Sequence, residues 1–115
     1  MGSSVGRPIV GGVYRIETSL LSGRDPKPKR PAVVLALPAF GLTHVPVLMR
    51  TTDTHEVGVL HPASRSLGLT REGVFAFRFL RSLDQKWFNV PEAVEFLGML
   101  EPAYFGKIQA WWEER

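Results

Sequence analysis

The chain has 115 residues, a formal net charge of +3 and no cysteine. A chain of this length builds one hydrophobic core, so we expect a single domain. The lack of cysteine excludes disulfides and thiolate metal sites, and the three histidines are not grouped with carboxylates as metal ligands would be. No apolar run reaches the length of a membrane-spanning helix, so we expect a cytoplasmic protein without membrane contact. The small positive excess permits binding to phosphates but does not by itself indicate it.

The first third of the chain contains one predicted strand between two segments that cannot form one. Residues 1–9, rich in glycine and serine, predict a flexible arm ahead of a domain that spans 10–115. Residues 12–18 carry β-branched and aromatic side chains in imperfect alternation, which favours a first strand. Residues 22–31 carry three prolines and four positive charges, which predict an exposed basic loop that continues neither a strand nor a helix.

The rest of the chain predicts several short strands and then one helix. Apolar and β-branched runs favour strands at residues 32–37, 44–52, 57–60, 74–83 and 93–100. Phe75, Phe77 and Phe79 recur at period two, so we expect them to share one face of their strand, as core or as a dimer interface. Proline and helically spaced apolar residues predict a C-terminal amphipathic helix that contains Pro102, Tyr104, Phe105, Ile108, Trp111 and Trp112. Short strands separated by frequent turn signals predict a mainly β fold, a compact antiparallel barrel or sandwich.

Three motifs occur in the order seen in one family of small β-rich proteins. The first is Lys-Arg-Pro-Ala-Val-Val-Leu at residues 29–35, the second is Val-Leu-Met-Arg-Thr-Thr at 47–52, and the third is Leu-Gly-Met-Leu at 97–100, ahead of the helix. In these motifs the chain resembles the MazF/PemK family of toxin endoribonucleases. The resemblance implies an SH3-like, CcdB/MazF-like antiparallel barrel with a C-terminal helix. It also implies the toxin of a type II toxin–antitoxin pair, which cleaves single-stranded RNA without a metal or other cofactor.

The resemblance also implies which residues act on RNA. Arg30 of the Arg-Pro motif and Thr51 at the end of the next strand take the catalytic positions, with Thr52 as the alternative if the register differs by one. A guanidinium can stabilise the charge that develops on a phosphate under attack, and a hydroxyl can hydrogen-bond to it. The family glutamate in the loop before Arg-Pro has no counterpart here, which leaves Glu17 or Asp25 as a possible base. The residues expected to contact RNA phosphates are Arg24, Lys27, Lys29 and Arg50.

Other functions are compatible with the same sequence. A CcdB-like gyrase inhibitor without catalytic activity is one alternative, because the chain ends in a segment with Trp111 and Trp112. A degenerate module that binds nucleic acid or serves a structural role is another. The three histidines are expected to be structural or exposed. The partners implied by the family are RNA, an antitoxin protein and a second copy of the chain in a homodimer.

Overall fold

The fold is a single mainly β unit closed by a terminal helix, as seen in a computed structural model that describes residues 7–21 and 28–115. The elements are β1 (Gly12–Glu17), β2 (Lys29–Val34), β3 (His44–Thr51), β4 (Gly58–His61), β5 (Gly73–Asp84), β6 (Val94–Met99) and α1 (Pro102–Glu114). Short 3-10 helices span Thr18–Leu20 and Gln85–Asn89. All strand pairs are antiparallel, in the order β4-β5-β3-β2-β1-β6. The predicted mainly β class and the terminal helix are confirmed, and within the described ranges the sheet is open, with β4 and β6 at its edges.

The strand β2 starts inside the segment predicted to be a loop, so that prediction is wrong for residues 29–31. Pro31 pairs with Arg15 of β1, and pairing with β3 begins only at Ala32, opposite Met49. Proline fits an extended backbone and is excluded only where its missing N–H is needed for the ladder. The strand also ends at Val34, three residues before the predicted end, and Leu37 is exposed.

Each face of the sheet carries its own hydrophobic core. The first, the helix-side core, lies beneath α1 and is centred on Val13, Val33, Leu48, Phe75 and Ile108. The second, the opposite core, is closed by the segment around Gln85–Asn89 and is built from Tyr14, Ile16, Val34, Val47, Leu83 and Phe88. Because successive strand residues point to opposite faces, every central strand contributes to both cores.

The strand β5 changes register along its length. Leu48 pairs with Leu80 but Arg50 pairs with Phe75, so two steps along β3 correspond to five along β5. Phe75 and Phe77 therefore belong to the helix-side core, whereas Phe79 packs against the opposite core. The predicted shared face for the three phenylalanines is wrong for Phe79, since the bulge breaks the two-residue alternation.

Both ends of the described chain contact the sheet. Residues 1–6 of the predicted arm lie outside the described residues, and the N–H of Ile9 donates to the Tyr14 hydroxyl at 3.1 Å. In α1, Ile108 is fully buried and the Trp111 ring stacks on Phe77 with 4.4 Å between ring centroids. Among the described helices, none is long and apolar enough to cross a membrane.

Candidate nucleic-acid interface

A groove of about 220 Å³ lies where β1, β2 and β3 meet the loop between β4 and β5. In the described part of the chain it is lined by five cationic residues and by no carboxylate. We call this site the basic groove; its charged and hydroxyl-bearing lining residues are Arg15, Lys29, Arg30, Arg50, Arg71, Thr52 and Thr70. Cations held this close repel one another, so the groove is suited to a ligand that carries negative charge.

Strand pairing brings the β1 and β2 residues of the groove together. Arg15 lies opposite Pro31, and Glu17 lies opposite Lys29. Alternation puts Arg15, Lys29 and Pro31 on the face of the helix-side core. Arg30 also borders the groove, although alternation places it on the face of its cross-strand partner Ile16.

The loop at residues 62–72 supplies another wall of the groove. Ser64 and Leu69 exchange backbone hydrogen bonds of 2.7 and 2.8 Å, and Gly68 makes the turn between them with a φ of +68°. Leu67 and Leu69 are buried in the helix-side core, which anchors this turn. The residues that follow, Thr70 and Arg71, reach the groove.

Arg50 at the end of β3 is the most deeply buried cation of the site, with only 4 % of its surface exposed. Its Nε donates to Nδ1 of His61 at 3.1 Å. Its Nη2 donates to three carbonyl oxygens, those of His61, Pro62 and Arg71, at 3.2, 3.3 and 2.7 Å. Burial lowers the pKa of Arg50, and the charge of Glu72 opposes this shift. Nε and Nη2 of the guanidinium are thus satisfied by neutral groups, and the charge is not neutralised by a hydrogen-bonded carboxylate within the described residues.

His61, which is fully buried, links Arg50 to the start of α1. Its Nε2 lies 3.1 Å from Oε1 of Glu101, and the Ser64 hydroxyl donates to the other oxygen of that carboxylate at 3.5 Å. An arginine can only donate, so Nδ1 accepts from Arg50 and the imidazole proton is on Nε2. Burial lowers the pKa of His61; the hydrogen bond to Glu101 opposes the shift, and the charge of Arg50 adds to it.

The carboxylate of Glu101 is stabilised in its charged form. Burial alone would raise the pKa of Glu101, but hydrogen bonds from its own backbone N–H, His61 and Ser64 lower it. Sequence reasoning missed this chain of contacts, because the predicted fourth strand stopped at residue 60. The available signal was the two-residue spacing between Val59 and His61, which puts both side chains on one face.

The residues predicted from sequence fall into three groups. Four of them border the basic groove: Lys29, Arg30, Arg50 and Thr52. Two lie outside its lining: Glu17 is half-buried at the end of β1, and the buried Thr51 accepts a hydrogen bond at its hydroxyl from the N–H of Asp53 at 3.1 Å. The last three, outside the described residues, are Arg24, Asp25 and Lys27.

The groove can bind phosphate and stabilise added negative charge on it, since five cations and two hydroxyls converge there. In residues 7–21 and 28–115 no group of three or more His, Cys, Asp or Glu side chains is placed to hold a metal ion. No protein-family model matches the sequence, and neither does any curated protein. The resemblance to the MazF/PemK family therefore stays a prediction from the motifs.

Proposed function

We propose that the basic groove binds the phosphodiester backbone of single-stranded RNA and that the protein is a metal-independent endoribonuclease, the toxin of a type II toxin–antitoxin pair. The observation that carries the proposal is the convergence of five cations in a groove whose described lining has no carboxylate, around an arginine that is almost fully buried. One of the five, Arg15, also pairs with Glu95 outside the lining at 3.5 Å. A buried charge whose hydrogen-bond partners are all neutral is costly, and a bound phosphate offsets that cost. The family resemblance supplies the reaction class.

In the proposed reaction a ribose 2′-oxygen attacks the adjacent phosphorus and the 5′-oxygen of the next nucleotide leaves. The 2′-hydroxyl proton passes to a base and the leaving oxygen gains a proton, so the products are a 2′,3′-cyclic phosphate and a 5′-hydroxyl. Arg30 and Arg50 stabilise the extra negative charge on the phosphate oxygens. Thr52 takes the role predicted for Thr51, because Thr52 is exposed at the groove while the Thr51 hydroxyl is engaged by Asp53.

The finer features of the resemblance belong to the same proposal. They are a CcdB/MazF-like barrel, a homodimer, a cytoplasmic location and an antitoxin that masks the groove. An acidic antitoxin segment fits a groove whose charged lining is cationic throughout the described residues.

A second candidate is RNA binding without cleavage. It is favoured by one observation: in the described part of the chain no carboxylate or imidazole borders the groove, so the lining offers no conventional general base. The gyrase-inhibitor alternative has less support, because Trp111 stacks on Phe77 and Trp112 is half-buried beside it instead of extending into solvent.

The test incubates the purified full chain with a mixed-sequence single-stranded RNA in EDTA and maps the ends of the products. We expect discrete cuts that leave a cyclic phosphate. Arg30→Ala should reduce the rate by about 100-fold, since removal of one charge-stabilising donor has effects of that order. The matched control is Arg78→Ala, which removes the same charge from an exposed site outside the groove and should leave the rate unchanged.

Two outcomes contradict the endoribonuclease. Intact RNA combined with salt-sensitive binding favours the non-cleaving candidate. Intact RNA without binding at low salt removes the groove from consideration as a nucleic-acid site.

A further inference from the structure

The buried His61 contacts Arg50, the most deeply buried cation of the basic groove. We propose that His61 is a positioning residue: its Nδ1 holds the Arg50 guanidinium toward the groove, and Glu101 at the start of α1 fixes the imidazole tautomer that makes this possible. The inference rests on the proposed function, because Arg50 is assigned there to the RNA phosphate. His61 itself does not line the groove.

The guanidinium of Arg50 is planar, and it is held at two separate atoms, Nε by His61 and Nη2 by three carbonyl oxygens. Two fixed points in one plane leave little freedom of rotation. The remaining nitrogen, Nη1, makes no hydrogen bond to any residue of the described part of the chain. It is therefore the nitrogen whose donors are left for a ligand, and its direction is set by the contacts of the other two.

Nη1 of Arg50 lies next to Gly73. A Cβ atom on residue 73 would come within 2.6 Å of Nη1, so the position is open only because residue 73 is glycine. Nη1 thus has a fixed position against the backbone at the start of β5. A donor held in place before the ligand arrives costs no reorganisation when charge develops near it.

The imidazole of His61 is in the tautomer that carries its proton on Nε2. An imidazole with its proton on Nδ1 would present a donor to the donor of Arg50, so this proton must be on Nε2. The carboxylate of Glu101, 3.1 Å from Nε2, accepts that proton and favours this tautomer. The rings of Phe75 and Tyr104 pack around the imidazole with centroid distances of 5.5 and 5.0 Å, which restricts rotation of the ring.

The alternative is that His61 only satisfies buried polar groups, in which case its replacement changes stability and nothing else. Two variants separate the roles. His61→Asn places an amide oxygen close to the position of Nδ1 and still accepts from Arg50, whereas His61→Leu offers no acceptor. Binding is measured with a 2′-O-methyl single-stranded RNA, which cannot be cleaved through its 2′-hydroxyl, over a range of salt concentrations.

For His61→Leu we expect affinity to fall by about tenfold. The slope of log affinity against log salt should weaken by about 0.7, the value for one lost phosphate contact with a single strand. His61→Asn should retain most of the wild-type affinity and most of the wild-type salt slope. In the Arg50→Met background, His61→Leu should have no further effect on affinity, because residues that act through one another are not additive.

Binding of RNA with unchanged affinity and salt slope in folded His61→Leu overturns the inference and leaves the proposed function standing. If His61→Leu does not fold, His61→Asn provides the test. A folded His61→Asn whose salt slope is weaker by about 0.7, the value for one lost phosphate contact, overturns the inference. If the wild-type chain binds no RNA, the proposed function fails, and ¹⁵N NMR of the His61 and Arg50 side chains decides the positioning role. A proton on Nε2 of His61 in the wild type, together with a slowly exchanging Arg50 Nε–H in both the wild type and His61→Asn, supports it. A proton on Nδ1, or a rapidly exchanging Nε–H, overturns it.

Discussion

Arg50 on β3 and Arg78 on the neighbouring strand β5 have opposite electrostatic environments. Arg78 on β5 is exposed, and its Nε and Nη2 donate to the two oxygens of Glu56 at 2.8 and 2.6 Å. Its guanidinium also lies over the Phe79 ring, 4.7 Å from the centroid. Arg50 is almost fully buried and is held by a neutral imidazole and carbonyl groups.

The comparison shows that burial and the charge of the hydrogen-bond partners together distinguish Arg50, the arginine that we propose binds the ligand, from Arg78. In the exposed pair the charges of Arg78 and Glu56 neutralise each other, and water screens the remaining field. The buried arginine borders an open groove and has no carboxylate among its hydrogen-bond partners, which is the arrangement that the proposed binding of an anion requires. Arg50 makes four side-chain hydrogen bonds and Arg78 makes two, yet only the partner of Arg78 carries a counter-charge.

The largest expected effect is that of Arg50→Met, and Arg78→Met is its matched control. Arg50→Met should lower single-turnover RNA cleavage by 100-fold or more, because it removes the most deeply buried cation of the groove. Arg78→Met should change the rate by less than about twofold. Rates are measured at saturating protein, with urea unfolding as a check that both variants fold. Equal losses in the two variants would show that the groove acts through net charge and not through Arg50.

A smaller effect is expected from adding one methyl group at residue 73. In Gly73→Ala the new Cβ would lie 2.6 Å from both Arg50 Nη1 and the carbonyl oxygen of Thr51. We expect destabilisation of about 1–3 kcal/mol from overpacking, and a loss of RNA affinity of about tenfold.

The matched control for residue 73 is Gly106→Ala. Gly106 lies in α1, and a Cβ added there has no heavy atom within 4 Å, so the helix should gain up to about 1 kcal/mol of stability with no change in RNA affinity. Unfolding in urea and RNA titration measure both quantities. An unaltered affinity in folded Gly73→Ala would contradict the position assigned to Nη1.

The pH dependence of stability is expected to report on His61. Its pKa is lowered in the folded protein, so the unfolded chain binds more protons between that value and the unfolded value of about 6.5. This contribution to stability is present above about pH 6.5 and is lost as the pH falls toward the folded pKa. The slope from this residue is at most about 1.4 kcal/mol per pH unit.

His61→Asn is the control for the pH effect, because an amide does not titrate in this range. Urea unfolding at pH 7.5 and 5.5 should show a smaller pH effect in the variant than in wild type. An equal loss of stability in both proteins would assign the effect to other groups.

The smallest effect is expected at the exposed pair. Glu56→Gln removes the counter-charge of Arg78, yet the urea midpoint should stay unchanged within error, since exposed ion pairs contribute little and are screened by salt. Midpoints at low and high salt measure this. A clear loss of stability at both salt concentrations would mean that the exposed pair is as important as the buried site.

The sequence predicted the type of each secondary-structure element better than it predicted which residues contact one another. Most of the strands and the terminal helix follow from apolar periodicity and from Pro102, and these are local properties. Motifs identified Lys29, Arg30, Arg50 and Thr52, all of which border the groove. The toxin and ribonuclease functions are still predictions.

The missed parts of the site depend on contacts between distant segments. Arg15 reaches the groove because of its pairing with Pro31, and Arg71 because a small turn is anchored by two leucines. His61 meets Glu101 forty residues away in sequence. The face of Phe79 is set by a register shift that no two-residue pattern contains. Register and loop closure are tertiary properties, so local patterns do not determine them.

The register shift in β5 has a consequence for how the molecule unfolds. One end of this strand carries Phe75 in the helix-side core, and the other carries Leu83 in the opposite core. Opening either core therefore removes the support of the strand that the other core needs. The two cores should behave as one cooperative unit, in which the slowest-exchanging amides on both sides of the sheet report the same opening free energy.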